Sequence, residues 1–190
     1  NLDSVGRSPS RFDFVKLTQL NGHYLRLADD ARLTGLVRPL LETRLGRSLT
    51  EAEAARIHAG MTGLKDRAKT VVELADSALF YVLARPLALD EKAAKTMADA
   101  ATKTDLAEFA GQITAQPNWN RETLEEAARL FTEARGQKLG KIAQPLRAAL
   151  AGSSVSPPIF EVMEVLGRDE ALGRIADATT GARPSESTAV

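Results

Sequence analysis

The sequence contains no cysteine and only two histidines among its 190 residues. Without thiols it has no disulfide framework, no thiolate zinc site and no cysteine nucleophile. Two histidines are too few for a histidine-rich metal cluster, and neither has a convincing partner for a Ser/His/Asp constellation. We therefore predict no metal site and no catalytic residues in this chain, and the lack of cysteine favours a cytoplasmic location.

Excess charge and long apolar runs are also missing. Lys and Arg number 25 and so do Asp and Glu, which excludes a uniformly basic coat. No apolar run approaches the roughly 18 residues of a membrane span, so we expect a soluble chain with no membrane partner. Only six Phe, two Tyr and one Trp are present, too few for an aromatic platform that stacks bases. The chain begins at Asn1 rather than Met, and we treat it as a fragment of a longer protein.

The apolar residues recur at helical spacing, and no run of alternating β-branched residues indicates a strand. We predict an all-α fold, a compact irregular cage of about eight to ten short helices rather than an up-and-down bundle. We predict helices over residues 13–27 and 105–114. A capping box of Ser48 and Glu51 starts a helix that continues to Asp66, and Thr70 caps a helix over 71–83. Asp90 caps a helix to Ala101, and Asn120 caps a helix that ends at Gly136.

The C-terminal third contains prolines that predict interruptions. Pro145 lacks an N–H, so we expect one short helix to end before it and another to begin there. We expect Ser156 to cap a helix from Ile159 and Asp169 to cap a last helix to about Ala178. The Thr, Ser, Gly and Pro content of residues 179–190 predicts a flexible tail.

One interval is free of acidic residues although the net charge is zero. Between Glu133 and Glu161 the charged residues are Arg135, Lys138, Lys141 and Arg147. The pattern is compatible with a solvated helix face, but basic side chains without competing carboxylates are also what a phosphate backbone requires. A helix entrance at Ser156, Pro157 and Ile159 offers polar groups and a rigid apolar ledge for an unstacked base, or it simply starts a helix.

The sequence resembles a known family in several segments. Residues 138–152 (KLGKIAQPLRAALAG), 156–161 (SPPIFE) and Leu166-Gly167-Arg168 are similar to the C-terminal signature of bacterial glutamyl-tRNA synthetases. Residues 8–13 (SPSRFD) and 20–26 (LNGHYLR) resemble the segment after the catalytic lysine loop of that family, and residues 67–70 (RAKT) resemble its first anticodon-binding subdomain.

The resemblance implies a fragment with two anticodon-binding subdomains, here 29–82 and 83–178, after the end of a stem-contact region in 1–28. It implies anticodon contacts by Arg147, Ser156, Pro157 and Ile159, and reading of the third anticodon base by Arg67, whose guanidinium presents a bidentate donor pair. It raises our expectation that Arg135, Lys138 and Lys141 contact the tRNA backbone.

The implied partners are tRNA-Glu and a catalytic domain in the same polypeptide. ATP and Mg would bind to that domain, so we expect no cofactor in this chain, no charging of tRNA by the chain alone and a monomer. Three alternatives stay open: a helical protein-interaction module, a regulatory paralogue that does not read tRNA specifically, and a self-contained enzyme, which would have to turn over ATP.

Overall fold

The computed structural model describes residues 13–182 and 184, and residues 13–182 are all-α as predicted. They form eleven α-helices, one more than the expected range, and no strand. The helices are α1 Phe14–Leu27, α2 Asp30–Leu45, α3 Glu51–Ala59, α4 Met61–Lys65, α5 Val71–Ala78, α6 Glu91–Ala98, α7 Ala100–Ile113, α8 Arg121–Glu133, α9 Gly140–Ala151, α10 Ile159–Leu166 and α11 Arg168–Thr180. A 3-10 turn, Leu79–Tyr81, follows α5 directly. None of the helices described is both long and apolar enough to cross a lipid bilayer.

Side-chain caps fix most of the helix starts. Thr70, Asp90 and Asn120 each accept a hydrogen bond from the backbone N–H three residues on, as predicted. The capping box assigned to Ser48 and Glu51 is wrong, since Thr50 is the N-cap and Glu53 is its partner. Both pairs have the same spacing, and only the second also places Ile57 in the core.

The capping box at Thr50 predicts that the free energy of unfolding falls in acid. The Arg47 guanidinium, 2.7 Å from Glu53, contributes most to lowering the pKa of that carboxyl to about 2. Because the folded pKa lies below the ordinary value, the contact stabilises the fold above about pH 4.3 and is lost as the pH falls towards 2. Glu53→Gln should cost about 1–2 kcal/mol at pH 7, and this difference from wild type should shrink towards pH 3 in urea titrations. A difference independent of pH would contradict this account, and Glu51→Gln is the exposed control.

Three predicted helix boundaries are wrong because they depend on contacts that sequence periodicity does not show. The helix expected to continue to Asp66 is split at Gly60, where a β-carbon would lie 2.7 Å from the Tyr81 ring. The helix predicted from Asp105 begins at Ala100 instead, because Asp99 accepts from the Thr102 N–H and caps it. The helix predicted to reach residue 83 ends as α5 and then tightens into the 3-10 turn.

The break predicted at Pro145 does not occur, and α9 continues through it. Proline removes one helical hydrogen bond, here to the carbonyl of Lys141, whose side chain is exposed. The rest of α9 is among the most buried parts of the protein, with Ile142, Leu146 and Leu150 in the core. Burial of this face against α6, α7 and α11 outweighs the lost bond.

The starts of the last two helices also differ from prediction. Pro158 precedes α10 without a side-chain cap, because the buried Ser156 hydroxyl donates to the Pro157 carbonyl instead. Asp169 does not cap α11, which begins one residue earlier after Gly167 at φ +79°. That helix extends to Thr180, two residues past its predicted end, and residues 183 and 185–190 of the predicted tail lie outside the described residues.

A buried arginine connects the two predicted subdomains. Arg174 of α11 is 1% exposed and donates to the carbonyls of Phe80, Leu83 and Leu150 and to the Glu170 carboxylate. One contiguous apolar core includes side chains from both sides of residue 82. The ranges 29–82 and 83–178 themselves stay a prediction.

Candidate nucleic-acid interface

A cavity opens between the end of α4 and the loop that precedes α10. Its volume is about 340 Å³, and we call it the α4–α10 cavity. It is lined by Leu64, Arg67, Ser77, Phe80, Val155, Ser156 and Pro157. Three residues predicted to contact an anticodon, Arg67, Ser156 and Pro157, therefore line one cavity. Arg67 is separated from the other two by about ninety positions in the sequence.

Arg67 reaches the cavity because of how α4 ends. The helix closes at Lys65, and the Arg67 N–H then donates to the Leu64 carbonyl at 3.3 Å in a tight turn. Ala68, next in the chain, is buried and fixes the turn to the core. The Arg67 side chain is consequently exposed at the rim of the cavity.

The opposite wall is the loop between α9 and α10. It begins at Gly152, whose φ of +68° and close approach to the Ala88 carbonyl exclude a side chain. Asp90 lies against the loop, and its pKa is lowered by the Ala93 N–H first and by Ser153 next. The loop then presents Val155, which is 67% exposed. An apolar side chain is thus held at the surface beside an arginine.

Arg147 lies close to Arg67 although it comes from α9. Partial burial lowers the pKa of Arg147, and the positive charge of Arg67 lowers it further. Neither guanidinium forms an ion pair with a carboxylate in residues 13–182. Two neighbouring arginines without an acidic partner form a site that an anion would stabilise.

Three predicted anticodon residues, Ser156, Pro157 and Ile159, are buried and therefore less accessible than the sequence indicated. Ile159 is only 2% exposed and packs in the core, so its side chain cannot lie on a base. Ser156 is 4% exposed and its hydroxyl already donates to the Pro157 carbonyl at 2.8 Å. These residues instead set the shape of the loop and present its backbone at the surface. The exposed apolar atoms come from Val155 and Pro158.

Arg135, predicted to contact phosphate, is held by acidic residues that are distant in sequence. It donates to Glu108 at 2.5 Å, lies 4.0 Å from Asp105 and covers the Phe131 ring at 3.6 Å. The interval from 134 to 160 has no acidic residue, yet α7 brings two carboxylates to its first arginine. The electrostatic argument from the sequence is therefore wrong at this position.

Lys138 and Lys141 are exposed near the start of α9. The pKa of Asp99 is lowered mainly by hydrogen bonds from Thr102 and also by the charge of Lys141, which places that lysine beside another carboxylate. Lys141, like Arg135, faces α7 and does not line the α4–α10 cavity. The backbone-contact role of Lys138 and Lys141 stays a prediction.

Sequence reasoning missed four residues that line the cavity. Leu64, Ser77 and Phe80 belong to helical stretches, where the spacing assigns them to a core or a surface but not to a cavity wall. Val155 had a weak signal, since it is an isolated apolar residue in a run of serines. Their meeting depends on tertiary packing.

The fold and the site define an all-helical domain with a cation-rimmed, partly apolar cavity, a combination suited to an anionic ligand that carries an exposed ring. Residues 32–179 match the family model described as "Anticodon binding domain", and the chain belongs to that family.

Relatives with known names agree with this assignment. The chain is 71% identical over 188 residues to "Glutamate–tRNA ligase 2" of Paramagnetospirillum magneticum, covering 99% of this chain and 39% of that protein. It is 58% identical over 178 residues to the protein of the same name from Rhodospirillum rubrum, covering 94% of this chain and 38% of the relative. The chain thus spans about two fifths of the length of these curated relatives.

A solved structure has the same fold. The crystal structure of a glutamate tRNA ligase from Elizabethkingia meningosepticum, in complex with its amino acid, superposes with a TM-score of 0.79 at 25% sequence identity. The match covers 96% of this chain and 35% of that one.

Proposed function

We propose that this chain binds the anticodon stem-loop of tRNA-Glu as part of a glutamate–tRNA ligase. The observation that carries the proposal is that Arg67 lines the α4–α10 cavity together with Val155, Ser156 and Pro157, while Arg147 is near enough for its charge to repel that of Arg67. RNA loops are read through unstacked bases, whose faces pack on apolar surfaces and whose edges accept hydrogen bonds. The cavity offers both an apolar surface for the face of a base and guanidinium donors for its edge.

Each side of the cavity has a distinct task in this proposal. Val155 offers an exposed apolar side chain for the face of a base, while the Arg67 guanidinium presents two parallel donors to its edge. Arg147, partly desolvated, stabilises a phosphate or an anionic base edge more strongly than a fully hydrated arginine would.

The chemistry of aminoacylation is assigned to a catalytic domain in the same polypeptide, with ATP and Mg bound there and none bound here. About three fifths of the relative's length lies outside the part that this chain matches, which leaves room for such a domain. We accordingly expect the chain alone to show no ATP turnover in a pyrophosphate-exchange assay, and we assign the whole protein to the cytoplasm.

An apolar stripe on α1 supports a partner in the same polypeptide. Leu17, Leu20, Tyr24 and Leu27 recur at three and four residues and are all exposed. Gly22 and Leu25, on the other face, are buried. A helix with two apolar faces is normally covered on both, and we propose that the catalytic domain covers this stripe in a monomeric enzyme. Concentration-dependent dimerisation of the whole enzyme in sedimentation experiments would contradict this assignment.

Binding to a labelled anticodon stem-loop tests the proposed function. The chain should bind the tRNA-Glu loop more tightly than a loop of the same composition and scrambled sequence. Log affinity should fall against log salt by about 0.7 for each phosphate contact to single-stranded RNA. Equal affinity for both loops would contradict specific reading, and binding without salt dependence would contradict the role of the two arginines.

A further inference from the structure

The closest approach between the two walls of the cavity lies just below it, at Gly63 of α4. A β-carbon at Gly63 would lie 2.4 Å from the Glu161 Oε1 atom and 3.1 Å from the Pro157 β-carbon. A side chain there would require the Glu161 carboxylate to move away and Pro157 to shift slightly. The absence of a side chain therefore lets α4 pack directly on Glu161 and Pro157.

The Glu161 carboxylate lies at the first turn of α4, which has no side-chain cap. That helix begins after Gly60, which supplies no side-chain cap, so its first N–H groups lack the usual acceptor. Glu161 belongs to α10, yet its carboxylate lies at the Gly63 N–H, and this contact favours the charged form of the carboxyl. Glu161 thus brings a negative charge from α10 to the first turn of α4.

Several neighbouring groups act on the charge of the Glu161 carboxylate in opposite directions. Partial burial raises its pKa, and the charge of Arg121 at the start of α8 opposes that effect. Asp66 and Glu164 add negative charge nearby.

The contact joins the two elements that carry the proposed reading residues. Gly63 immediately precedes Leu64 and is four residues before Arg67, and Glu161 follows the loop with Val155 and Pro157. We infer that Glu161 is a positioning residue for anticodon reading. By packing against α4 at Gly63, it fixes the position of Arg67 relative to the loop at 155–157. The inference rests on the proposed function.

The first test removes the carboxylate. Glu161→Ala should reduce the discrimination between the tRNA-Glu loop and a loop changed at the third anticodon base by about fivefold or more, because Arg67 loses its fixed position. Affinity for a scrambled loop should change less than about twofold, since the charges that hold the backbone are still present. Glu161→Gln keeps an acceptor oxygen for the Gly63 N–H and should restore most of the discrimination.

A matched control separates this contact from a general effect of α10. Glu164→Ala removes a carboxylate from the same helix, where it accepts from the Arg121 N–H at 3.2 Å instead of facing α4. This variant should keep the wild-type discrimination ratio.

The second test places a methyl group in the space between Gly63 and the Glu161 carboxylate. Gly63→Ala should reduce discrimination as Glu161→Ala does, because the new methyl group overlaps the Glu161 carboxylate. Gly35→Ala is the control, since Gly35 also lies in a helix but has no heavy atom within 4 Å of its ideal β-carbon. It should leave both discrimination and folding intact.

The outcomes distinguish this inference from the function on which it rests. If the wild-type chain does not discriminate between loops, the proposed function fails first. If wild type discriminates and a folded Glu161→Ala variant does so equally well, the positioning role is wrong. A Glu161→Ala variant that is unfolded at the assay temperature would make Glu161 a structural residue and would likewise overturn the assignment.

Discussion

Arg174→Met should lower the free energy of unfolding by about 3–5 kcal/mol, the typical cost of removing one partner from a buried charged network. Methionine fills much of the volume of arginine but donates no hydrogen bond. The carbonyls of Phe80, Leu83 and Leu150 would be left in the protein interior without this donor, and Glu170 would lose its cation. For a chain of this size the melting temperature should fall by about 6–20 °C.

Urea titration and thermal unfolding followed by circular dichroism would measure this loss. Arg129→Met is the matched control, because Arg129 pairs with Glu125 on α8 while half exposed to solvent, and it should cost less than about 1 kcal/mol. A loss below about 1 kcal/mol for Arg174→Met as well would show that the three carbonyls find water or other donors.

The second large effect concerns specificity. Arg67→Ala should reduce the discrimination at the third anticodon base by about 1–3 kcal/mol, the usual value of a bidentate contact to a base edge. Arg67→Lys keeps the charge and loses the paired donors, so it should restore affinity but not discrimination. Arg147→Ala should weaken binding to every loop to a similar extent, because partial burial suits it to an anion rather than to one base.

Binding titrations with loops that differ at one anticodon base would separate these roles. Arg129→Ala, on α8, is a control for the loss of one positive charge. Uniform weakening by Arg67→Ala across all loops would reassign Arg67 to backbone contact, and unchanged binding in both Arg67→Ala and Arg147→Ala would remove both from the interface.

Local signals were sufficient to predict the helical fold. The N-caps at Thr70, Asp90 and Asn120 depend on residues three positions apart, and such short-range patterns are readable in the sequence. Pro145 shows the limit of this reasoning. Its intrinsic preference predicts a break, but α9 is continuous because its buried face packs against three other helices.

The site was predictable only in part, for a similar reason. The family resemblance identified Arg67, Arg147 and the loop at 156–159, and the structure brings Arg67 and the loop to one cavity with Arg147 beside Arg67. The acid-free interval gave a misleading electrostatic picture, since Glu108 and Asp105 reach Arg135 across helices. Arg174, whose charge alone would predict a surface position, is buried because three backbone carbonyls accept its hydrogen bonds.

Photo-crosslinking would test most directly whether the α4–α10 cavity receives the anticodon. A tRNA-Glu stem-loop with 4-thiouridine at the third anticodon position would be irradiated with the chain, and the attached peptides identified by mass spectrometry. Crosslinks to residues 64–67 or 155–157 are the predicted result. Crosslinks confined to residues 135–141 would contradict it, and would place the RNA at the side of the protein that faces α7.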